Sequence, residues 1–313
     1  MTRVDLITGF LGAGKTTFIQ RYIHFLESVG QTNIQIIENE YGMTNVDTRL
    51  LKGYADSIRS LAGMCMCCSG MDKFKTYLME AAQKGCDRIL VEPSGIYDVD
   101  EFFSVMSDPT VSKYCETGSI IMIADADWDE SLSIETRYLM CTQLLAAGAV
   151  VLSKTQDHTE EEADRVEETL RQLVRDSGAP EESMPSVFRK AWTDLTDDDF
   201  RKLMNAGWKH VKHTQLFMDH QDVYASAVIT GKCRDRESLE KTIEEMFAGR
   251  ICGDVIRVKG FVEDLSGNWF TVNCTRQDRE ILPSELDLKR GMLAVIGQNF
   301  EEAALRSVLL PGR

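Results

Sequence analysis

Short runs of β-branched and aliphatic residues alternate along this chain with segments whose apolar residues recur every three or four positions. The short runs fall at residues 5–7, 34–38, 58–61, 89–92, 120–124, 150–153 and 187–189. Some, such as Ile120-Ile121-Met122-Ile123, are apolar at every position, as a strand must be when helices cover both of its faces. Between the runs, Phe18, Ile19, Tyr22, Ile23, Phe25 and Leu26 mark the inner face of one helix, with His24 on its surface. Met71, Phe74, Leu78 and Ala81 mark a second, and Ala163, Val166, Leu170, Leu173 and Val174 a third that opens on the solvated run Glu160-Glu161-Glu162. Alternation of this kind predicts an α/β domain on a doubly wound, mostly parallel sheet.

From about residue 194 to 221 the composition turns polar and helical without a strand signal, which reads as a connection between domains. A second pattern follows, with strands at 225–229, 255–262, 269–272 and 292–296 and helices at 239–247 and 301–309. The strand pair 255–262 and 269–272 is joined across Leu265-Ser266-Gly267-Asn268. The expected organisation is a nucleotide-binding domain over 1–215, including the connection from about 194, and a smaller C-terminal α+β domain over 222–313. There are no repeats and no low-complexity tract.

With 313 residues, 43% of them hydrophobic, the chain can bury a large core. Its formal charge of -15 argues against nucleic acid or an anionic membrane as the main partner, because phosphate backbones and acidic headgroups require a basic footprint. The first strand begins within the opening residues, which leaves no room for a signal peptide, and no apolar run approaches the ~20 residues that span a bilayer. Cytoplasm is the expected location. Nine cysteines in a reducing compartment read as thiols or ligands rather than disulfides, with Cys86, Cys115, Cys141, Cys233, Cys252 and Cys274 as scattered, semi-buried small residues.

The sharpest chemical signal is Gly9-Phe10-Leu11-Gly12-Ala13-Gly14-Lys15-Thr16, a full G-x-x-x-x-G-K-[ST] match between a strand and a helix. In such a loop, backbone N–H groups turn inward at a helix N-terminus and cradle a phosphate. Gly12, Ala13, Gly14, Lys15, Thr16 and Thr17 are the candidate phosphate-binding residues, with Lys15 reaching the β- and γ-oxygens and the Thr16 hydroxyl going to Mg²⁺. Ile89-Leu90-Val91-Glu92-Pro93-Ser94-Gly95 is an apolar strand that ends in an acid and then a glycine. Glu92 is expected in the Mg²⁺ shell or on a water, and the Gly95 amide at the γ-phosphate, making Lys15, Glu92 and Gly95 the candidate catalytic set. Glu38-Asn39-Glu40-Tyr41-Gly42 ends the second strand and reads either as a switch that feels metal and γ-phosphate or as a polar turn.

Ser153-Lys154-Thr155-Gln156-Asp157 occupies the place of a base-reading N-K-x-D motif, so Ser153, Lys154 and Gln156 are the candidate base contacts. Serine replaces asparagine there and an amide stands at the acid position. Gln156 offers one acceptor oxygen where a carboxylate offers two, so guanine is favoured by analogy and ATP stays in view. Cys65-Met66-Cys67-Cys68 lies on a segment flanked by Gly63 and Gly70. Neighbouring cysteines there cannot all face one core, whereas a loop can turn two or three sulfurs toward one ion. Thiolates favour Zn²⁺ or another borderline transition metal, and Glu40 is the candidate further ligand. A redox-sensing cluster is the competing reading, and an iron–sulfur cluster lacks a place for its fourth cysteine. His210 and His213, with His220 beyond, read as solvated surface.

Taken together, residues 9–16, 38–42, 65–68, 92–95 and Ser153-Lys154 resemble the CobW-like branch of the CobW/HypB/UreG family of metal-centre P-loop GTPases. The resemblance extends to residues 253–260, which look like the opening strand of the branch's C-terminal domain. It implies slow GTP hydrolysis to GDP with Mg²⁺, coupled to delivery of zinc or cobalt held by Cys65, Cys67 and Cys68 to a client metalloprotein. A homodimer is an admissible assembly. Two departures stand out: the chain has five histidines and no histidine-rich stretch, which argues against bulk metal storage, and the base-reading motif is altered. The rivals are a nucleotide-gated adaptor and an ATP-driven activator of a metal- or corrinoid-dependent client, neither carrying metal itself.

Overall fold

The computed structural model describes residues 1–39, 57–61, 70–126, 132–211, 223–285, 290–299 and 302–310, and the chain divides into two compact units. The first unit opens with Thr2–Thr8 (β1), Lys15–Ser28 (α1), Ile34–Glu38 (β2), Ser57–Ser60 (β3), Met71–Gln83 (α2) and Arg88–Glu92 (β4). It continues through Val99–Met106 (α3), Cys115–Asp125 (β5), Ile134–Ala146 (α4), Ala149–Ser153 (β6), Glu160–Asp176 (α5), Ser186–Phe188 (β7) and Asp197–Met204 (α6). The seven strands form one parallel sheet in the order β3-β2-β4-β1-β5-β6-β7.

Strand parity sends alternate side chains to two separate cores. Val4, Leu6, Ile89, Val91, Ile120, Met122, Val150 and Leu152 pack with α2, α3, α4 and α5, while Ile7, Ile36, Leu90, Ile121, Ile123 and Val151 pack with α1 and α6. Burial on both faces is the physical reason these strands read as unbroken apolar runs. The doubly wound sheet is the one expected. Strand β1 lies between β4 and β5, so the chain winds away from it in both directions, and ligands in such sheets bind at the carboxyl ends of the strands around this switch point.

Midway along β1 and at the start of β4, Asp5 and Arg88 form a fully buried ion pair at 2.5 Å. The Tyr22 hydroxyl (2.9 Å) and the Ser119 amide (2.8 Å) also donate to Asp5, and Arg88 donates to Gln31 (2.8 Å). Burial pushes the Asp5 carboxyl up from its ordinary range, against the pull of Arg88 and these hydrogen bonds.

Two helices escaped the periodicity reading. In α4 every residue from Leu139 to Ala146 is buried, including Thr142 and Gln143, so no polar face sets off an apolar stripe. The short α3 is marked chiefly by its cap, where the Asp98 side chain accepts from the Asp100 amide. The polar stretch from 194 is helical in its described part, over Asp197–Met204, and belongs to the first unit. It is a packed element: Thr196 and Asp199 close a capping box, and Phe200 stacks on Phe25 at 5.5 Å and Tyr22 at 6.3 Å. Lys209 then donates its amide to Ala146 (3.0 Å), which ties the segment back to the end of α4.

The second unit contains Ala225–Thr230 (β8), Lys232–Cys233 (β9), Arg236–Phe247 (α7), Asp254–Asp264 (β10), Trp269–Thr275 (β11), Arg279–Pro283 (β12), Met292–Gln298 (β13) and Glu302–Leu309 (α8). Its sheet runs β12-β11-β10-β13-β8, with neighbours antiparallel and β9 paired in parallel to β10. Leu239, Ile243, Met246, Leu305 and Leu309 from the two helices close one core against Val258, Val262, Val272 and Val295. The run at 253–260, expected to open this unit, instead supplies its central strand; β8 precedes it in sequence and lies at the opposite sheet edge from β12. Only Ile281 of β12 is buried, and an edge strand with one inward residue gives no alternating pattern to read.

Candidate phosphate site

The carboxyl ends of β1, β4, β5 and β6 bring together the residues singled out in the first unit. Past β1, residues 9–14 turn back on themselves, with the Ala13 amide donating to Phe10 O at 3.3 Å, and Gly14 caps α1 in the left-handed region at φ 92°. No side chain caps α1, so its first turn offers backbone N–H groups to a ligand. Lys15 is 6% exposed, and its ammonium bends over the loop to donate to Gly9 O (2.8 Å) and Phe10 O (3.1 Å). Thr17 is exposed.

Thr16 donates its hydroxyl to Glu92 Oε1 at 2.7 Å. Glu92 ends β4 and is buried, in register with Glu38 at the end of β2, and the Asn39 amide donates to Glu92 O at 2.8 Å. A hydroxyl and two carboxylates in one buried corner are hard oxygen donors, the set that suits Mg²⁺ beside a phosphate. Three residues on, Gly95 meets the loop. A Cβ on it would lie 2.3 Å from the Leu11 amide nitrogen and 2.8 Å from Leu11 Cα, so no larger residue fits while this backbone holds its place.

The base-reading segment follows β6. Ser153 is buried and donates its hydroxyl to Ala124 O on β5 at 3.4 Å. Lys154 adopts φ 60°, rare for a side-chain-bearing residue, and donates its ammonium to Asp125 Oδ2 at 2.5 Å. Gln156 is exposed within the single 3-10 turn Thr155–Asp157.

Three further residues at the site were not read from the sequence. Asp125 ends the apolar run of β5 just as Glu92 ends that of β4, and this shared signature could have found it. Trp192, just past β7, sets its ring edge 2.8 Å from where a Cβ on Gly14 would sit and donates its indole N–H to Leu152 O at 2.9 Å. Gln143, wholly buried in α4, donates its amide to Gly95 O (3.3 Å) and Tyr97 O (3.2 Å). An isolated polar residue in an apolar segment carried no signal for that role.

Behind the Gly95 turn, burial and secondarily the charge of Asp98 push the Glu101 carboxyl up to about 8. Glu40, Tyr41, Gly42, Cys65, Cys67 and Cys68 lie outside the described residues, as do His213 and His220. Among the described residues no group of three or more His, Cys, Asp or Glu is placed to hold a metal ion. His210 is exposed and stacks on Phe103 at 5.8 Å. Burial first and foremost pushes the thiols of Cys115, Cys141, Cys233 and Cys274 up to about 11, which keeps them protonated and unreactive at neutral pH. No described helix is long and apolar enough to cross a membrane.

Comparison with known proteins places this geometry in a lineage. A family model for the CobW/HypB/UreG nucleotide-binding domain matches residues 3–179. The zinc chaperone YjiA of Escherichia coli K12 is 31% identical over 180 residues, covering 54% of this chain and 54% of that protein. The zinc chaperone YeiR of the same organism is 27% identical over 207 residues, covering 65% of this chain and 60% of that one. The chain thus spans a little over half the length of these relatives. Among solved structures, Zn(II)-bound YjiA GTPase from E. coli aligns over 100% of this chain and 99% of that one, at 18% identity and a TM-score of 0.39.

Proposed function

Because the chain belongs to the CobW/HypB/UreG family, we propose that it is a Mg²⁺-dependent GTPase that couples its nucleotide state to the binding and delivery of a transition metal, zinc or cobalt. The observation that carries the nucleotide half is the Thr16–Glu92 contact of 2.7 Å at the mouth of a glycine-rich loop. It sets the hydroxyl and carboxylate that would hold Mg²⁺ beside the first turn of α1, where a phosphate is bound by backbone N–H groups. Bound there, Mg²⁺ neutralises charge on the phosphate oxygens. Lys15 exchanges its two carbonyl partners for β- and γ-oxygens, and Gly95, packed on the loop backbone, presents its amide to the γ-phosphate.

Base recognition falls to Ser153, Lys154 and Gln156. Ser153 and the Lys154–Asp125 pair brace the segment, which leaves the Gln156 amide to contact the base edge. One acceptor oxygen supports guanine less firmly than a carboxylate does. The metal half rests on Cys65, Cys67 and Cys68, with Glu40 as a further ligand, and on the zinc chaperones among the relatives. The metal is cargo, handed on to a client metalloprotein. Hydrolysis by the isolated protein is expected to be slow, because a partner commonly supplies the arginine that stabilises the transition state.

The direct test is GTP hydrolysis with Mg²⁺, with chelator, and with ATP as competitor. Thr16→Ala is expected to lower turnover by about a hundredfold, an effect on the scale of a lost electrostatic contact, and ATP to compete weakly. Hydrolysis indifferent to chelator, or equal use of ATP, would overturn the Mg²⁺–GTP assignment.

A further inference from the structure

Gln143 has no place in the nucleotide chemistry described so far, yet its side chain reaches the turn whose Gly95 amide is proposed above to meet the γ-phosphate. The side chain is completely buried on α4. Its amide nitrogen donates to Gly95 O at 3.3 Å and to Tyr97 O at 3.2 Å. Both neighbours are carbonyls, which accept and cannot donate, so the NH₂ must face them and the orientation of the amide is fixed. The Oε1 atom then points elsewhere and has no hydrogen-bond partner. A buried amide with both donors engaged at the long end of the hydrogen-bond range and its acceptor unused is an unusual arrangement in a folded interior.

We infer that Gln143 is a positioning residue that holds the Gly95 turn against the phosphate loop and so sets the preference for triphosphate over diphosphate; this rests on the GTPase reading above. The geometry constrains the turn from two sides. On the side of the phosphate loop, Gly95 is packed so closely that a Cβ on it would lie 2.3 Å from Leu11 N and 2.6 Å from the Phe10 carbonyl carbon. On its other flank, Gln143 grips the carbonyls on either side of Ile96, which fixes the rotation of the intervening peptides. Because each peptide unit is planar, holding Gly95 O also fixes the Ile96 N–H of that unit, and the Gly95 N–H can then turn only about the φ and ψ of Gly95 itself. Gln143 thus holds the carbonyl side of Gly95 and narrows the settings its amide can take, without touching nucleotide.

The same residue links the two halves of the nucleotide site. It lies in the last turn of α4, and only Ala147 and Gly148 separate that helix from β6, which delivers Ser153 and Lys154. This short connection is itself pinned: the Gly148 amide donates to Ile120 O at 2.9 Å, and a Cβ on Gly148 would meet Ala206 O and Gly207 O at 2.4 Å. The Gly95 turn and the strand that leads to Ser153 and Lys154 are therefore joined through α4, with Gln143 as the contact to the turn. The unused Oε1 gives the amide an acceptor to offer a backbone N–H of the turn in a second nucleotide state.

Gln143→Met tests the role, since methionine keeps the side-chain volume while removing both donors and the orphan acceptor. Affinities for GDP and for a non-hydrolysable GTP analogue, together with kcat and KM for GTP, are measured on wild type and variant. The expected result is GDP affinity within about twofold of wild type, with analogue affinity and kcat each lowered about tenfold, the pattern of an interaction made only with the triphosphate. Thermal unfolding is followed in parallel. A merely structural role would lower stability and weaken both nucleotides alike, and an unchanged analogue-to-GDP ratio overturns the proposal. Should Gln143→Met fail to fold, Gln143→Asn keeps both donors on a shorter stem and is expected to give the same selective loss. A wild-type protein that binds neither nucleotide overturns the GTPase reading itself, a result distinct from equal ratios in wild type and variant.

Discussion

Glu101 illustrates how far a single residue can depart from its sequence appearance. In the sequence it is one carboxylate among 50 acidic residues; in the fold, burial and then Asp98 hold its carboxyl near 8. A folded-state value above the unfolded one means the native protein keeps the proton. The resulting stability is fully present below the ordinary carboxylate range and is lost as pH rises toward about 8. Glu101→Gln, which mimics the protonated form, is expected to leave the melting temperature unchanged at pH 4–5. Above pH 8 it should raise Tm by several degrees, a shift on the scale of a kcal/mol or two in a chain of this size. A pH series of thermal unfolding checks this, and parallel curves for the two proteins would refute it. Trp192 and Gln143 were illegible for a related reason, since each acquires its role from neighbours far away in sequence, whereas Asp125 carried the same strand-end signature as Glu92.

Elements were legible where burial is simple and illegible where it is not. Strands β1, β2, β4 and β6 announced themselves because both faces are covered, and α5 because a clean apolar stripe meets a capping box of Thr159 and Glu162. Helix α4 is covered nearly all round and β12 hardly at all, so neither carries a periodic pattern. The buried tie between β1 and β4 was invisible for the same reason, since Asp5 and Arg88 each look like an ordinary charged residue at a strand edge. Removing Arg88 leaves the Asp5 carboxylate buried with two neutral donors and no countercharge. Arg88→Met is therefore expected to cost about 3 kcal/mol, near the low end for breaking a buried pair. Urea denaturation measures it, and a loss below about 1 kcal/mol would place the pair among surface-like contacts.

At the scale of the whole molecule, the phosphate chemistry was readable because the loop motif specifies local backbone geometry, and the structure brings Lys15, Thr16, Glu92 and Gly95 together at one strand-end corner. The proposed metal chemistry rests on composition, three thiols within four residues that lie outside the described residues. In the proposed function the nucleotide and metal sites are joined by linkage. If the triphosphate state binds metal more tightly, metal must tighten triphosphate binding by the same factor. In the proposed role, the net charge of -15 would favour a client that presents a basic patch, through the rate of encounter more than through affinity.

The measurement that bears most directly on this coupling is a zinc titration of the reduced protein against a chelating dye, run with GDP and with a non-hydrolysable GTP analogue. A zinc affinity at least about fivefold different between the two states, the lower end of allosteric coupling, and abolished when Cys65, Cys67 and Cys68 are all changed to Ser, is the expected result. Equal affinity in both states, or binding that survives loss of the three thiols, would contradict it.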